Sequence, residues 1–192
     1  DVAYYDHTKE MVFVHPLLFY LRDMAYNKEE YTYSRIILTL IHEFAHALHM
    51  QFVDNILPDE SSFSLDATTR VFNELRDNGV LEAVAFLFEL IHYQMNKQRF
   101  DENTSFQDTP TDLIYKYLIG LENNINIKGN ELHIKGIVLL KTILSAKLKT
   151  NQNKLEDAFG EILGELFRMT VIITDGGYFQ EALEYIYDAQ LC

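Results

Sequence analysis

The stretch IILTLIHEFAHALHMQF, Ile36 to Phe52, constrains this chain more than any other. It places three histidines and a glutamate inside an apolar run long enough for several helical turns. A polar group buried without a partner costs several kcal/mol, so a fold that buries this segment must give those four side chains something to bind. Either they are satisfied core groups or something in the interior binds them, and the histidine spacing favours the second. At 3.6 residues per turn, His42 and His46 stand one above the other on one face of a helix, so both imidazoles can reach a single ion. Glu43 lies about 100° round the helix from His42. From there it can reach a water on that ion without ligating the ion itself, which suits a general base.

The remaining segments predict a mainly α protein with a small N-terminal β element. VAYY and MVFVH flank the polar DHTKE and read as a hairpin rich in Val, Tyr and Phe. From Tyr33 to Val53 the residues are apolar almost all round, which predicts a buried helix. SLDATTRVFNELRDNG follows as an amphipathic helix with Ser64 or Asp66 as its cap and Asn78-Gly79 as its stop. VLEAVAFLFELIHYQM is a second apolar helix. The polar segment from Asn96 to Asp108 reads as a loop, and Thr109-Pro110 opens a helix through TDLIYKYLIGL. INIKGNELHI admits either a Gly-Asn hairpin or a helix capped by Asn130, and we favour the helix. KLEDAFGEILGELFRMTVI and YFQEALEYIYDA both carry helical apolar spacing, parted by Asp175-Gly176-Gly177. The division expected is a catalytic core over 1–100 and a helical C-terminal subdomain over 101–192 packed on it.

A tetrahedral site that does chemistry needs a third protein ligand and an open fourth position. His49 shares the face of His42 and His46, but at 1.5 Å per residue it is about 10 Å along the axis from His42, too far to join both on one ion. It is expected beside the site or lining its cleft. Glu82 is the better third ligand: it follows the Asn78-Gly79 break in the first turn of a new helix, next to small Ala83 and Ala85 that allow close helix approach. The plain alternative is a first-turn glutamate favoured by the helix dipole. Glu89 and Glu74 are the alternates. Tyr178, His133 and Tyr93 are candidates to steady a developing oxyanion.

Charge and length exclude other classes. With 16 Lys and Arg against 29 Asp and Glu, the chain carries a net charge of -13, so no nucleic-acid partner is expected. No apolar run reaches the roughly 18 residues of a membrane span, and MVFVHPLLFYL is interrupted by His15 and Pro16. The single cysteine, Cys192, cannot form an internal disulfide, and localisation is left open.

HEFAHALH resembles the HEFGHAxH of thimet-oligopeptidase-like enzymes, with Ala45 where that family has glycine. Glu82, Ala85 and Phe88 form an ExxAxxF that is similar to the glutamate helix of anthrax-lethal-factor-like peptidases. Both are gluzincin metallopeptidases. The resemblance covers about a quarter of the chain and implies a zincin-like domain in which His42, His46 and Glu82 bind Zn2+, Glu43 is the base, and the substrate is a peptide or protein. In such enzymes a strand edge beside the active helix holds the substrate extended, a role that falls here to MVFVH. Two other readings remain in view. Glu43-x-x-His46 and Glu89-x-x-His92 could be the paired motifs of a non-haem di-iron helical bundle. The chain could also be an inactive binding module on the same fold.

Overall fold

A computed structural model describes residues 3–16, 30–57, 65–96, 118–120, 123, 131–150 and 155–188. Strands β1 (Ala3–Asp6) and β2 (Met11–Val14) form an antiparallel hairpin in which Tyr4 faces Phe13 and Tyr5 faces Val12. Its turn is built on Asp6, whose Oδ1 accepts the Thr8 amide at 3.0 Å and the Thr8 hydroxyl at 2.6 Å. Tyr4 and Phe13 stack on the outer face with ring centroids 5.2 Å apart, while Ala3 is buried. Tyr5 packs against the main core. The turn is pinned to the body of the protein by His7, stacked at 3.9 Å on Phe72.

Six helices follow among the described residues: α1 (Glu30–Ile56), α2 (Leu65–Asp77), α3 (Val80–Met95), α4 (Glu131–Thr150), α5 (Leu155–Thr174) and α6 (Phe179–Asp188). The chain is thus mostly helical with one small N-terminal sheet, as its periodicities predict. Asn130, Ser64, residues 97–108 of the expected loop and most of TDLIYKYLIGL lie outside the described residues; Leu118 of that last segment is buried in the core. No helix among the described residues is long and apolar enough to cross a membrane.

Helix α3 is the centre. Every residue from Val80 to Leu87 is buried, and α1, α2, α4 and α5 all pack on it. Its sequence is apolar over these turns except for Glu82, which it takes into the core with it. Helix α1 departs from the buried helix expected of it: one face, bearing Phe44 and Leu48, is 56% and 53% exposed. Its sequence is apolar all round, but its place at the side of α3 leaves one stripe uncovered by the described residues. The core runs without a break from Met50 on α1 through Leu87, Leu140 and Ile162 to Ala182 on α6, so helices of both halves of the chain share it.

Glycine sets the tightest crossing. Gly79 ends α2 with φ of 77°, a left-handed value that favours a residue without Cβ, and its C=O accepts the Ala83 amide at 2.9 Å to start α3. A Cβ on Gly79 would lie 2.6 Å from the Gly136 nitrogen, and one on Gly136 would lie 2.3 Å from Glu82 Cβ. The start of α4 therefore rests directly on the first turn of α3, backbone against backbone. Lys135 Nζ fastens the same corner by donating to Asp77 O at 2.7 Å.

Candidate metal centre

That crossing gathers the titratable residues. From the middle of α1, His42 and His46 face α3, their ring centroids 4.7 Å apart and nearly perpendicular. From the first turn of α3 comes Glu82, whose Oε2 is 3.1 Å from His42 Nε2 and whose Oε1 is 3.6 Å from His46 Nε2. From the first turn of α4 comes His133, with Nε2 3.2 Å from the same Glu82 Oε2. Phe86, one turn beyond Glu82, closes the floor with its ring 4.9 Å from His42 and 5.7 Å from His133. One ligand atom from each of His42, His46 and Glu82 lies within 4.8 Å of the others. Ligands at about 2.05 Å from a tetrahedral zinc stand about 3.4 Å apart, so small side-chain rotations would close the set on an ion.

Electrostatics follow from burial among these partners. Burial works against the proton of His42, but carboxylates on both ring nitrogens, Glu82 and Glu89, overcome it and hold the imidazolium up to about 10. Burial likewise opposes the charge of Glu82, yet the hydrogen bond from His42 and the neighbouring histidines bring its carboxyl down to about 2. His46 is pushed down to about 4, by burial first and by the charge of His42 next. His133 is also lowered, chiefly by burial. His46 is the least satisfied member: its Nδ1 is buried with no hydrogen-bond partner, and its Nε2 is beyond hydrogen-bond reach of Glu82. A buried imidazole whose outer nitrogen is unpartnered and whose Nε2 only approaches a carboxylate is a donor that a cation would satisfy.

Glu89 requires a correction. The sequence offers it as an alternate third ligand, otherwise an ordinary helix glutamate. It is instead buried, and its Oε1 lies 2.7 Å from His42 Nδ1, the nitrogen that faces away from Glu82. Seven residues, almost two turns, separate Glu82 and Glu89, so both carboxylates lie on the α1-facing side of α3 and grip one imidazole from its two ends. A carboxylate on the outer nitrogen of a ligating histidine fixes its ring and tautomer. Glu74, the other alternate, accepts the Phe179 amide at 3.0 Å and so caps α6.

The other expected residues divide. Glu43 is half-buried, and burial raises its carboxyl above the ordinary range. Its Oε2 accepts the backbone N–H of Tyr5 at 2.8 Å. The backbone that meets Glu43 is thus that of β1, the strand laid with its outer edge toward that residue. His49 does not line the cleft: it is fully buried, its Nε2 bonds Thr170 Oγ1 at 2.7 Å, and Phe167 packs on its ring, all on α5. Helix α5 also packs on α1, and its Thr170 and Phe167 meet that helix at His49. Tyr178 is 62% exposed ahead of α6, with its amide on Glu181, and no described contact joins it to the histidines. Tyr93 and His92 lie in the last turns of α3, at the opposite end of that helix from Glu82, and Asn96 stands beside His92.

His133 is the one member that sequence named only as an oxyanion candidate. Its signal was a histidine three residues before a glycine, Gly136, on a helix whose partner was unknown. Compared with protein-family models, curated proteins and solved structures, the chain matches none.

Proposed function

We propose that this chain is a zinc-dependent peptidase of the gluzincin kind, built on a zincin-like arrangement of hairpin, metal helix and glutamate helix. The strongest support is the convergence of Glu82 on His42, 40 positions away, and on His46, in a largely buried group where His46 Nδ1 has no hydrogen-bond partner. Three nitrogen and oxygen donors from the protein leave a fourth position open, the pattern of catalytic rather than structural zinc.

A zinc ion held there supplies a Lewis acid for the peptide carbonyl and a water acidic enough to lose a proton near neutral pH. Everything else falls to the chain. His42 and His46 donate Nε2, with Glu89 holding the His42 ring, and Glu82 supplies the carboxylate. Glu43, beside the group but not in it, takes a proton from the attacking water and passes it to the leaving amine. His133 stands at the rim of the pocket, partly exposed, where an Nε2–H can donate to charge developing on the substrate oxygen. A di-iron bundle is not favoured, because Glu43 turns to Tyr5, Glu89 serves His42, and His92 is at the far end of α3.

Metal analysis of the purified protein tests the metal and Glu43→Gln tests the chemistry. One zinc per chain, hydrolysis of an unstructured peptide mixture, and a Glu43→Gln variant that keeps its zinc but loses hydrolysis are expected. Two irons per chain, or a Glu43→Gln variant with full activity, would refute it.

A further inference from the structure

From the bond between Glu43 and β1 we infer that the backbone N–H of Tyr5 is the positioning group for the catalytic base, so that the N-terminal hairpin is part of the catalytic apparatus. This rests on the peptidase reading of Glu43. A glutamate has three rotatable side-chain bonds, and a base that wanders loses rate, since misplacement of about 1 Å can cost a hundredfold. Here one carboxylate oxygen is fixed 2.8 Å from a main-chain donor that cannot rotate, leaving the second oxygen to accept a water proton.

The arrangement is costless to the sheet. In an antiparallel pair, amides point alternately toward the partner strand and away from it. The Tyr5 amide reaches Glu43 and so points away from β2, toward α1. The hairpin that carries it is itself held in place: His7 stacks on Phe72 of α2, and the Tyr5 ring packs against the core. Glu43 is thus referenced to α2 and the core through a route that does not pass through the metal ligands.

Two experiments on the full chain test this. In the first, the Tyr5 amide proton is followed by NMR in the metal-free and zinc-loaded protein. A downfield, slowly exchanging resonance is expected in both states, moving upfield in Glu43→Gln. A Tyr5 amide that is released on zinc loading would overturn the proposal, because the bond would then belong only to the empty pocket. In the second, Tyr5→Pro, which removes the N–H, is compared with Tyr5→Ala, which loses the same ring but keeps it. Zinc content should be equal in the two. The kcat of Tyr5→Pro should be lower by on the order of a hundredfold at similar KM, the pattern of an interaction that matters only in the transition state. Equal kcat in the two variants would overturn the proposal, as would a rise in KM alone, which would make the strand edge a substrate contact instead. A zinc-loaded parent that hydrolyses no peptide would remove the peptidase reading and this proposal with it; an active parent with equal variants removes this proposal alone.

Discussion

Gly136→Ala is the substitution whose consequence the packing fixes most closely. The new Cβ would stand 2.3 Å from Glu82 Cβ and 2.9 Å from the Ala83 nitrogen. Carbon atoms pack at about 3.5–4.0 Å, so α4 and the first turn of α3 must part by about 1.2–1.7 Å. The obstructing atoms are backbone and a Cβ, which no rotamer change can withdraw. Overpacking of this kind costs about 1–3 kcal/mol, and the upper end applies when backbone must move. Alanine in place of a helical glycine returns about 1 kcal/mol. The net is a loss of about 2 kcal/mol, or roughly 4–8 °C in the melting temperature of a domain this size. Gly164→Ala is the control: Gly164 is exposed on α5 and a Cβ there meets nothing within 4 Å. The same chemical change should raise the melting temperature by about 2–4 °C. Because the clash falls on Glu82 itself, Gly136→Ala should also shrink the extra stability that added zinc confers, whereas Gly164→Ala should not. Thermal melts of both variants with and without zinc decide it. A Gly136→Ala protein that melts at or above the parent with an undiminished zinc shift would refute the close crossing and the placement of Glu82.

Three further outcomes are expected. Glu82→Ala should abolish most of the zinc-induced rise in melting temperature, since binding energy that ties α1 to α3 appears as folding stability; an unchanged zinc shift would put the third ligand elsewhere. Glu89→Gln should weaken zinc affinity by about tenfold to a hundredfold in a competition titration, because His42 loses the carboxylate that fixes its ring, and parental affinity would show the contact to be idle. In the metal-free protein, stability measured by urea denaturation should fall as pH drops from about 6.5 toward 4, by on the order of 1.4 kcal/mol per pH unit for each of His46 and His49. Their folded values near 4 and 3 lie below the unfolded value, so the unfolded chain binds protons that the folded one does not. His42 has the opposite sign: held up to about 10, it contributes stability that is complete below about 6.5 and is lost as pH rises toward 10. A flat profile between pH 6.5 and 4 would contradict the burial of His46 and His49.

Sequence by itself determined the described elements and the pair of candidate ligands that share one of them. Helical period, turn chemistry at Asn78-Gly79 and the alternation of the N-terminal strands are local properties, carried by residues within one or two turns of each other. The same locality placed His42 over His46 and Glu43 beside them. It also put Glu82 in the first turn of a new helix, since a glycine stop and the apolar run after it are read along the chain. Only the tertiary structure decided which faces meet. That Glu89 grips His42, that His49 turns to Thr170, and that β1 rather than β2 gives its amide to Glu43 all depend on how helices cross and which edge of a hairpin lies inward. Those choices are set by packing over separations of 38 to 121 positions, and no periodicity reports on them. His133 is the clearest case. Its place beside Glu82 exists because Gly79 and Gly136, 57 positions apart, both lack the Cβ that would hold their backbones away from each other.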